Sequence, residues 1–384
     1  MLNCTADAMA RIAYTSINFS KIMLMLNTIR LFLLPLLAIT LLAQADSHHT
    51  YTSYAERPEA QIFAADMAQK HGGTTDEWLS LLSKAHFQPK IVTLVMPSET
   101  TGKKNWLAYA QRFINPHRIH AGVAFWSQHA STLERAEQLY GIPAEIIVSI
   151  IGIETLYGKK MGEFNVLNSL ATLAFDYPNT PNRNIRTALF KQELEYFLVW
   201  SKSNNIPVNK IKGSYTGAIG IPQFLPSSIN KFAVNFDNGE KIDLRNSPID
   251  AIGSIANFLK LNGWESNRPV IWKIADTTTS LAAAKNFADG LPKPRFPLQQ
   301  LLDAELVVNE TIDLKKEKNT TVLVADFPIP DQTTQYLLGL QNFYALTRYN
   351  QSFFYARTVY ELAQAIRAEK NKQDHATQAS GANE

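Results

Sequence analysis

Residues 141–158 read GIPAEIIVSIIGIETLYG and carry a lone carboxylate, Glu154, near the end of an otherwise apolar segment. Pro143 suits the first turn of a helix, and Glu145 suits the positive end of its dipole. Ile146, Ile147, Val148, Ile150, Ile151 and Ile153 make that helix apolar nearly all round, which predicts burial. One turn before Glu154 lie Ile151 and Ile150, and Gly158 follows as a stop signal. Apolar neighbours and the negative end of the helix dipole both disfavour an ionised carboxylate, so the pKa of Glu154 is expected to rise. An acid kept protonated near neutral pH is what cleavage of a glycosidic bond requires. The plainer alternative is a Glu that caps or salt-bridges a helix end.

A second stretch, residues 212–228, reads KGSYTGAIGIPQFLPSS. Gly213, Gly217 and Gly220 permit tight turns and close approach of backbone to a ligand. Ser214 and Gln223 offer hydrogen-bonding groups within it. It is no phosphate loop, because the G-x-x-x-x-G-K-[ST] pattern is absent. The alternative is an irregular loop before a helix, with Ser227 or Ser228 as its N-cap.

The elements that must position these residues are mostly helical. Helical spacing runs through Gln61–His71, Thr75–Ala85, Trp106–Phe113, Ile142–Tyr157, Val166–Ala174, Ile185–Asn204, Pro226–Asn235 and Ile249–Asn262. His117–Tyr140 reads as one long helix or two. After Trp264 come short β-rich runs at Val270–Ile274, Leu306–Val308 and Thr321–Val324. Tyr336–Leu346 and Thr358–Ala368 read as mixed or helical. Residues 46–60 are polar and read as flexible, and the tail 369–384 as disordered. The fold class is therefore mainly α with a small β portion.

Composition limits the function. The chain has 384 residues, 46% hydrophobic and 18% charged, which is ordinary globular material. Its net charge is +3. Without residues 1–45, which hold Arg11, Lys21, Arg30 and Asp7, it falls to +1, so charge gives no argument for nucleic acid. Cys4 is the only cysteine, which rules out an intrachain disulfide and a multi-cysteine zinc site. The eight histidines show no H-E-x-x-H spacing. Residues 31–43, LFLLPLLAITLLA, follow Lys21 and Arg30 and precede Ala43-Gln44-Ala45, the pattern of a cleavable export signal over residues 1–45. The run is short for a membrane span, the alternative reading. No cysteine follows it, so no lipoprotein anchor is expected.

Together these segments, with NSLATLAFDYP, SPIDAIGSIANFLKLNGW and FYALTRYNQSFFYA, resemble the membrane-bound lytic murein transglycosylase B family (glycoside hydrolase family 103). They occur in that family's order, from about Ala60 to Ala368. The resemblance implies a lysozyme-like catalytic core, residues 141–264. An N-terminal α region (46–140) and a small mixed α/β region (265–368) would flank it. It implies a periplasmic enzyme, acting as a monomer on peptidoglycan strands, alone or with cell-wall synthesis or remodelling proteins. The bond cut would be the β-1,4 link from N-acetylmuramic acid to N-acetylglucosamine, leaving a 1,6-anhydromuramoyl end. The family's single acid/base falls on Glu154. Its substrate-groove residues fall on Ser214, Gln223, Tyr349, Asn350, Tyr355, Tyr109 and Arg186. The tyrosines alone would read as ordinary core. Where the family often carries an aromatic residue, Phe258 keeps a ring but no hydroxyl, and Leu189 has neither.

No cofactor is required by this chemistry, though the family's EF-hand-like calcium loop falls on residues 235–243, NFDNGEKID. Asn235 and Asp237 fit ligand positions 1 and 3, but Gly239 removes the ligand at position 5 and Asn246 stands at position 12. The loop reads as degraded, with Asn235, Asp237 and Asp243 left as weak calcium candidates. Two other readings compete. A hydrolytic muramidase would need a second carboxylate, with Asp176 and Glu163 as candidates; a non-catalytic peptidoglycan-binding protein would not need Glu154.

Overall fold

The computed structural model describes residues 53–97 and 104–381, so the export-signal reading of residues 1–45 lies outside it. The described residues begin with a short 3-10 turn at Tyr54–Glu56, followed by α1 (Pro58–His71), α2 (Thr75–Leu82), α3 (Pro89–Val95), α4 (Trp106–Gln111), α5 (Pro116–Gln128) and α6 (Ala130–Tyr140). The expected 117–140 helix is two helices, because His129 leaves helical geometry with ψ 25° and serves as the boundary of both. The N-terminal stretch is not loose from residue 54 on. Tyr54 is buried, donates to Asp176 at 2.6 Å, and stands beside the ion pair of Arg57 with Asp176.

Next come α7 (Ala144–Thr155), the two-residue strand β1 (Phe164–Asn165), α8 (Val166–Phe175) and the long α9 (Arg183–Ser203). Every residue of α7 is buried except Glu154, which keeps an opening to solvent. Strand β2 (Lys212–Gly213) pairs antiparallel with β1, and the glycine-bearing loop leads from it into α10 (Pro226–Phe232) and α11 (Pro248–Leu261).

The β portion is one four-stranded antiparallel sheet of β3 (Ile271–Lys273), β4 (Phe296–Pro297), β5 (Thr321–Phe327) and β6 (Gln335–Gly339), in the order β3-β6-β5-β4. Helices α12 (Thr278–Phe287), α13 (Leu298–Asp303) and α14 (Leu314–Glu317) lie between its strands in sequence. Strand alternation divides its side chains between two cores. Val322 and Val324 face a small core with Trp272, Leu298 and Leu338, while Leu323, Ala325 and Phe327 join the main helical core. Being buried on both faces, β5 reads as a continuous apolar run. The run Leu306–Val308 forms no strand; it contributes a single bridge, Val308 to Ile274.

The chain ends with α15 (Gln341–Tyr349) and α16 (Phe353–Gly381). Both pack back on the helical core, and α16 lies along α5 and α7. The expectation of a disordered tail from 369 is corrected here: α16 continues to Gly381. Same-face ion pairs, Lys370 with Asp374 and Lys372 with Glu369, support a polar helix where no core is needed. No single helix among the described residues is long and apolar enough to cross a membrane.

Candidate active site

Glu154 stands on the last turn of α7, where the backbone turns sharply. Leu156, Tyr157 and Gly158 all adopt left-handed conformations, with φ of 50°, 60° and 82°. For the two non-glycine residues this costs about 1 kcal/mol each. Several contacts hold the turn. The Thr155 hydroxyl accepts from Gly158 N at 3.0 Å and lies 3.1 Å from the Ile221 carbonyl. Tyr157 donates to the carbonyl of Arg118 at 2.8 Å. The buried Arg118 guanidinium donates to the carbonyls of Gly152, Arg112 and Phe113. A cation placed on the Gly152 carbonyl, in the last turns of α7, also opposes the negative end of its dipole. Gly152 is required here, since a Cβ would sit 2.5 Å from the Tyr157 hydroxyl oxygen.

The carboxyl of Glu154 meets α16. Tyr355, 2% exposed, donates its phenol to Glu154 Oε1 at 2.7 Å. Tyr349, at the end of α15, stacks on Tyr355 with centroids 6.2 Å apart and ring planes at 13°. Its phenol donates to the Pro222 carbonyl at 2.5 Å, tying α15 to the glycine loop. Protein packed around the carboxyl removes water from it and pushes its pKa up to about 7, and the Tyr355 hydrogen bond offsets part of that rise. Both phenols are driven well above their usual range, first by burial and then by the neighbouring carboxylate. The direction is the one expected from the sequence. Desolvation is its principal cause.

The glycine loop folds on itself beside this group. Ser214 is buried, and its Oγ accepts from Ala218 N at 3.0 Å and Thr216 N at 3.3 Å. The Ser214 hydroxyl thus shapes the loop. Gln223 holds a left-handed conformation (φ 52°), and its amide donates to Gly220 O at 2.8 Å and Met161 O at 3.1 Å. Gly220 has φ 75°, and a Cβ there would lie 2.3 Å from the Leu244 carbonyl oxygen. The expected serine N-cap of α10 is replaced. Leu225 stands at the cap position, and buried Glu193 on α9 accepts from Ser227 N at 2.9 Å and Ser227 Oγ at 2.6 Å. Burial raises the pKa of Glu193. Neither Glu193 nor Arg118 carried a sequence signal, because each acts on backbone distant in the chain.

The remaining sequence candidates distribute unevenly. Asn350 closes α15, and its buried Oδ1 has no hydrogen-bond partner among the described residues. Tyr109 is buried between Trp106, Phe113 and Phe354. Arg186 stands at the start of α9, close enough to Tyr177 to offset part of the burial-driven rise of that phenol. Phe258 is buried against Tyr349 at 4.8 Å, so its ring supports the site from below. The two carboxylates considered as a second acid are engaged elsewhere. Asp176 uses one oxygen for Tyr54 and the other for Arg57. Glu163 pairs with Lys212 at the surface.

The weak calcium candidates make hydrogen bonds within and beside their own loop. Asp237 accepts from Gly239 N and the Ser247 hydroxyl, and Asp243 accepts from Arg245 N and Asn246 N. Asn235 donates its Nδ2 to the Gly239 carbonyl at 2.6 Å. Buried Asp250 organises the loop from beneath by accepting from Phe236 N, Asp237 N and Asp243 N. Among the described residues no group of three or more His, Cys, Asp or Glu is placed to hold a metal.

The sequence pattern of the transglycosylase SLT domain matches residues 55–364, most of the chain. The chain belongs to the SLT transglycosylase family. Membrane-bound lytic murein transglycosylase B of Escherichia coli (strain K12) is 37% identical to it over 324 residues, 82% of this chain and 84% of that one. The crystal structure of soluble lytic transglycosylase SltB1 from Pseudomonas aeruginosa superposes with a TM-score of 0.73 at 35% identity, covering 82% of this chain and all of that one. SltB3 from Pseudomonas aeruginosa, solved in complex with NAG-anhNAM-pentapeptide, gives 0.66 at 26% identity over 80% and 79% of the two chains. This lytic murein transglycosylase thus has the mostly helical, lysozyme-like fold of its relatives, as its sequence implied.

Proposed function

We propose that Glu154 is the single general acid/base of this transglycosylase. The bond cut is the MurNAc-β-1,4-GlcNAc link of peptidoglycan, and the product carries a 1,6-anhydromuramoyl end. One observation carries the assignment: a half-buried glutamate at a helix end whose carboxyl is desolvated, held at a pKa of about 7, and hydrogen-bonded by a phenol. Half of such groups are protonated near neutral pH, ready to donate.

In the first step Glu154 gives its proton to the glycosidic oxygen, and the C1–O bond breaks with its electron pair on that oxygen. The carbonyl oxygen of the substrate's own 2-acetamido group bonds to C1, so no second protein carboxylate is needed. In the second step the 6-hydroxyl oxygen attacks C1 and displaces the acetamido oxygen. Glu154, now ionised, takes the hydroxyl proton and is restored. Tyr355 steadies the ionised stage by donating to it. Asn350 and Gln223 would receive polar groups of the sugar; Tyr349 would offer a ring face, and Ser214 would act through the shape of its loop. Tyr109 and Arg186 would extend the groove.

The occupied states of Asp176 and Glu163 favour this reading over a hydrolytic muramidase, which normally pairs two carboxylates about 5–5.5 Å apart when retaining. A periplasmic location with a cleaved signal belongs to the same proposal, as do a monomeric state and independence from calcium. Mass spectrometry of muropeptides released from purified sacculi by the exported chain tests the central part. Products one water lighter than reducing muropeptides, absent with Glu154→Gln, are expected. Reducing products would replace this reading with the muramidase, and binding without release would replace it with a wall-binding role.

A further inference from the structure

Helices α7 and α16 run antiparallel, and three polar contacts cross between them. Tyr355 meets Glu154 at one end. In the middle, fully buried Ser149 donates its hydroxyl to the Val359 carbonyl at 2.7 Å. At the other end Arg367 donates to Glu145 at 2.5 Å, with the Arg367 guanidinium lying 5.0 Å from the ring of Trp126 on α5. The spacings agree along the helix axes. At about 1.5 Å of rise per residue, Ser149 precedes Glu154 by about 7.5 Å and Val359 follows Tyr355 by about 6 Å. Glu145 precedes Glu154 by about 13.5 Å and Arg367 follows Tyr355 by about 18 Å. An arginine side chain leaning toward its helix N-terminus closes that difference.

The rest of the contact is apolar, with Ala356, Val359, Leu362, Ala363 and Ile366 of α16 all fully buried. Apolar packing is non-directional, so it tolerates small slides of one helix along the other. Polar rungs do not. Neither the middle rung nor the far one touches the acid, and the proposed chemistry does not use them.

We propose that Ser149 and Arg367 are positioning residues, which fix the register of α16 on α7 so that the Tyr355 phenol meets Glu154. The proposal rests on Glu154 as the acid for its catalytic meaning, but the register itself can be read without turnover. The groups facing Glu154 are Tyr355 of α16 and Tyr349 of α15, with Tyr109 of α4 acting through Tyr355 and Arg118 of α5 on the Gly152 carbonyl. Glu145 is faced by Arg367, and Glu137 of α6 accepts from the neighbouring Ala144 N.

The experiment is a carbon-13 NMR titration of side-chain-labelled glutamate in the whole protein, with the Glu154 signal assigned by its loss in Glu154→Gln. Tyr355→Phe removes a hydrogen bond to the charged form and raises the midpoint by about one pH unit. Ser149→Ala and Arg367→Met are expected to raise it in the same direction, and to add nothing in the Tyr355→Phe background. An unchanged midpoint in both variants, or a shift that adds to that of Tyr355→Phe, overturns the proposal. Arg367→Met leaves Glu145 without its partner; if it does not fold, Glu145→Gln with Arg367→Met removes both charges and must give the same rise. Activity retained by Glu154→Gln would refute the acid assignment while leaving the titration result to decide the register.

Discussion

Replacing Glu154 by Gln should stabilise this protein at alkaline pH while abolishing its activity. The carboxyl has a folded-state pKa of about 7 against an ordinary value of 4.5. A folded pKa above the unfolded one means that the folded state binds the proton more tightly, so stability is lost as pH rises from the lower value through the higher. The full gap is worth about 3 kcal/mol. Most of it is present at pH 8, whereas about 1 kcal/mol is present at pH 5, because only the unfolded side chain has ionised there. Glutamine is nearly the same shape, carries no charge at either pH, and keeps an oxygen to accept from Tyr355. Urea unfolding of wild type and Glu154→Gln at the two pH values isolates this residue, since all other groups cancel in the difference. The variant should gain about 2 kcal/mol more at pH 8 than at pH 5. Equal differences at both pH values, or a variant less stable at pH 8, would refute the claim that the acid is held up by desolvation.

Other consequences follow from named contacts. With Glu154 as the acid, kcat/KM should fall above about pH 7, and a flat profile to pH 9 would count against it. Gly220→Ala should cost about 2 kcal/mol or more and most of the activity, because its Cβ would meet the Leu244 carbonyl oxygen at 2.3 Å; thermal melts and sacculus turnover read both. Tyr54→Phe should lower stability by about 1–2 kcal/mol by leaving buried acceptors short of a donor, visible in urea midpoints. Millimolar calcium or a chelator should leave the melting temperature unchanged, since Asp237 and Asp243 already accept hydrogen bonds from Gly239, Ser247, Arg245 and Asn246.

The sequence carries the acid more plainly than it carries the acid's surroundings. Glu154 is legible because a charged residue on an apolar helix is unusual, and the helix itself follows from its isoleucines. The hydrogen bond that tempers it comes from Tyr355, 201 positions later, and no spacing rule reaches that far; only family resemblance pointed to Tyr355. The helical stripes of α1 and α9 are readable because each buries one face, and α8 and α11 because their apolar content suits burial nearly all round. Helix α3 is short and begins at Pro89, and β4 contains Pro297, so neither shows a clear period. The C-terminal part of α16 was unreadable for the opposite reason: its support is ion pairs on a polar helix. Ser214 shows a subtler gap. Its position in the glycine loop is evident, but the structure shows its oxygen turned to the backbone N–H groups of Thr216 and Ala218.

The central claim is that one carboxyl serves both steps and the sugar supplies its own nucleophile. Digestion of sacculi in oxygen-18 water by the exported chain tests it most directly. The mechanism requires muropeptides that end in 1,6-anhydromuramic acid and carry no label, and none at all from Glu154→Gln. Reducing ends labelled with oxygen-18 would show that water, positioned by some other group, completes the reaction, and would contradict it.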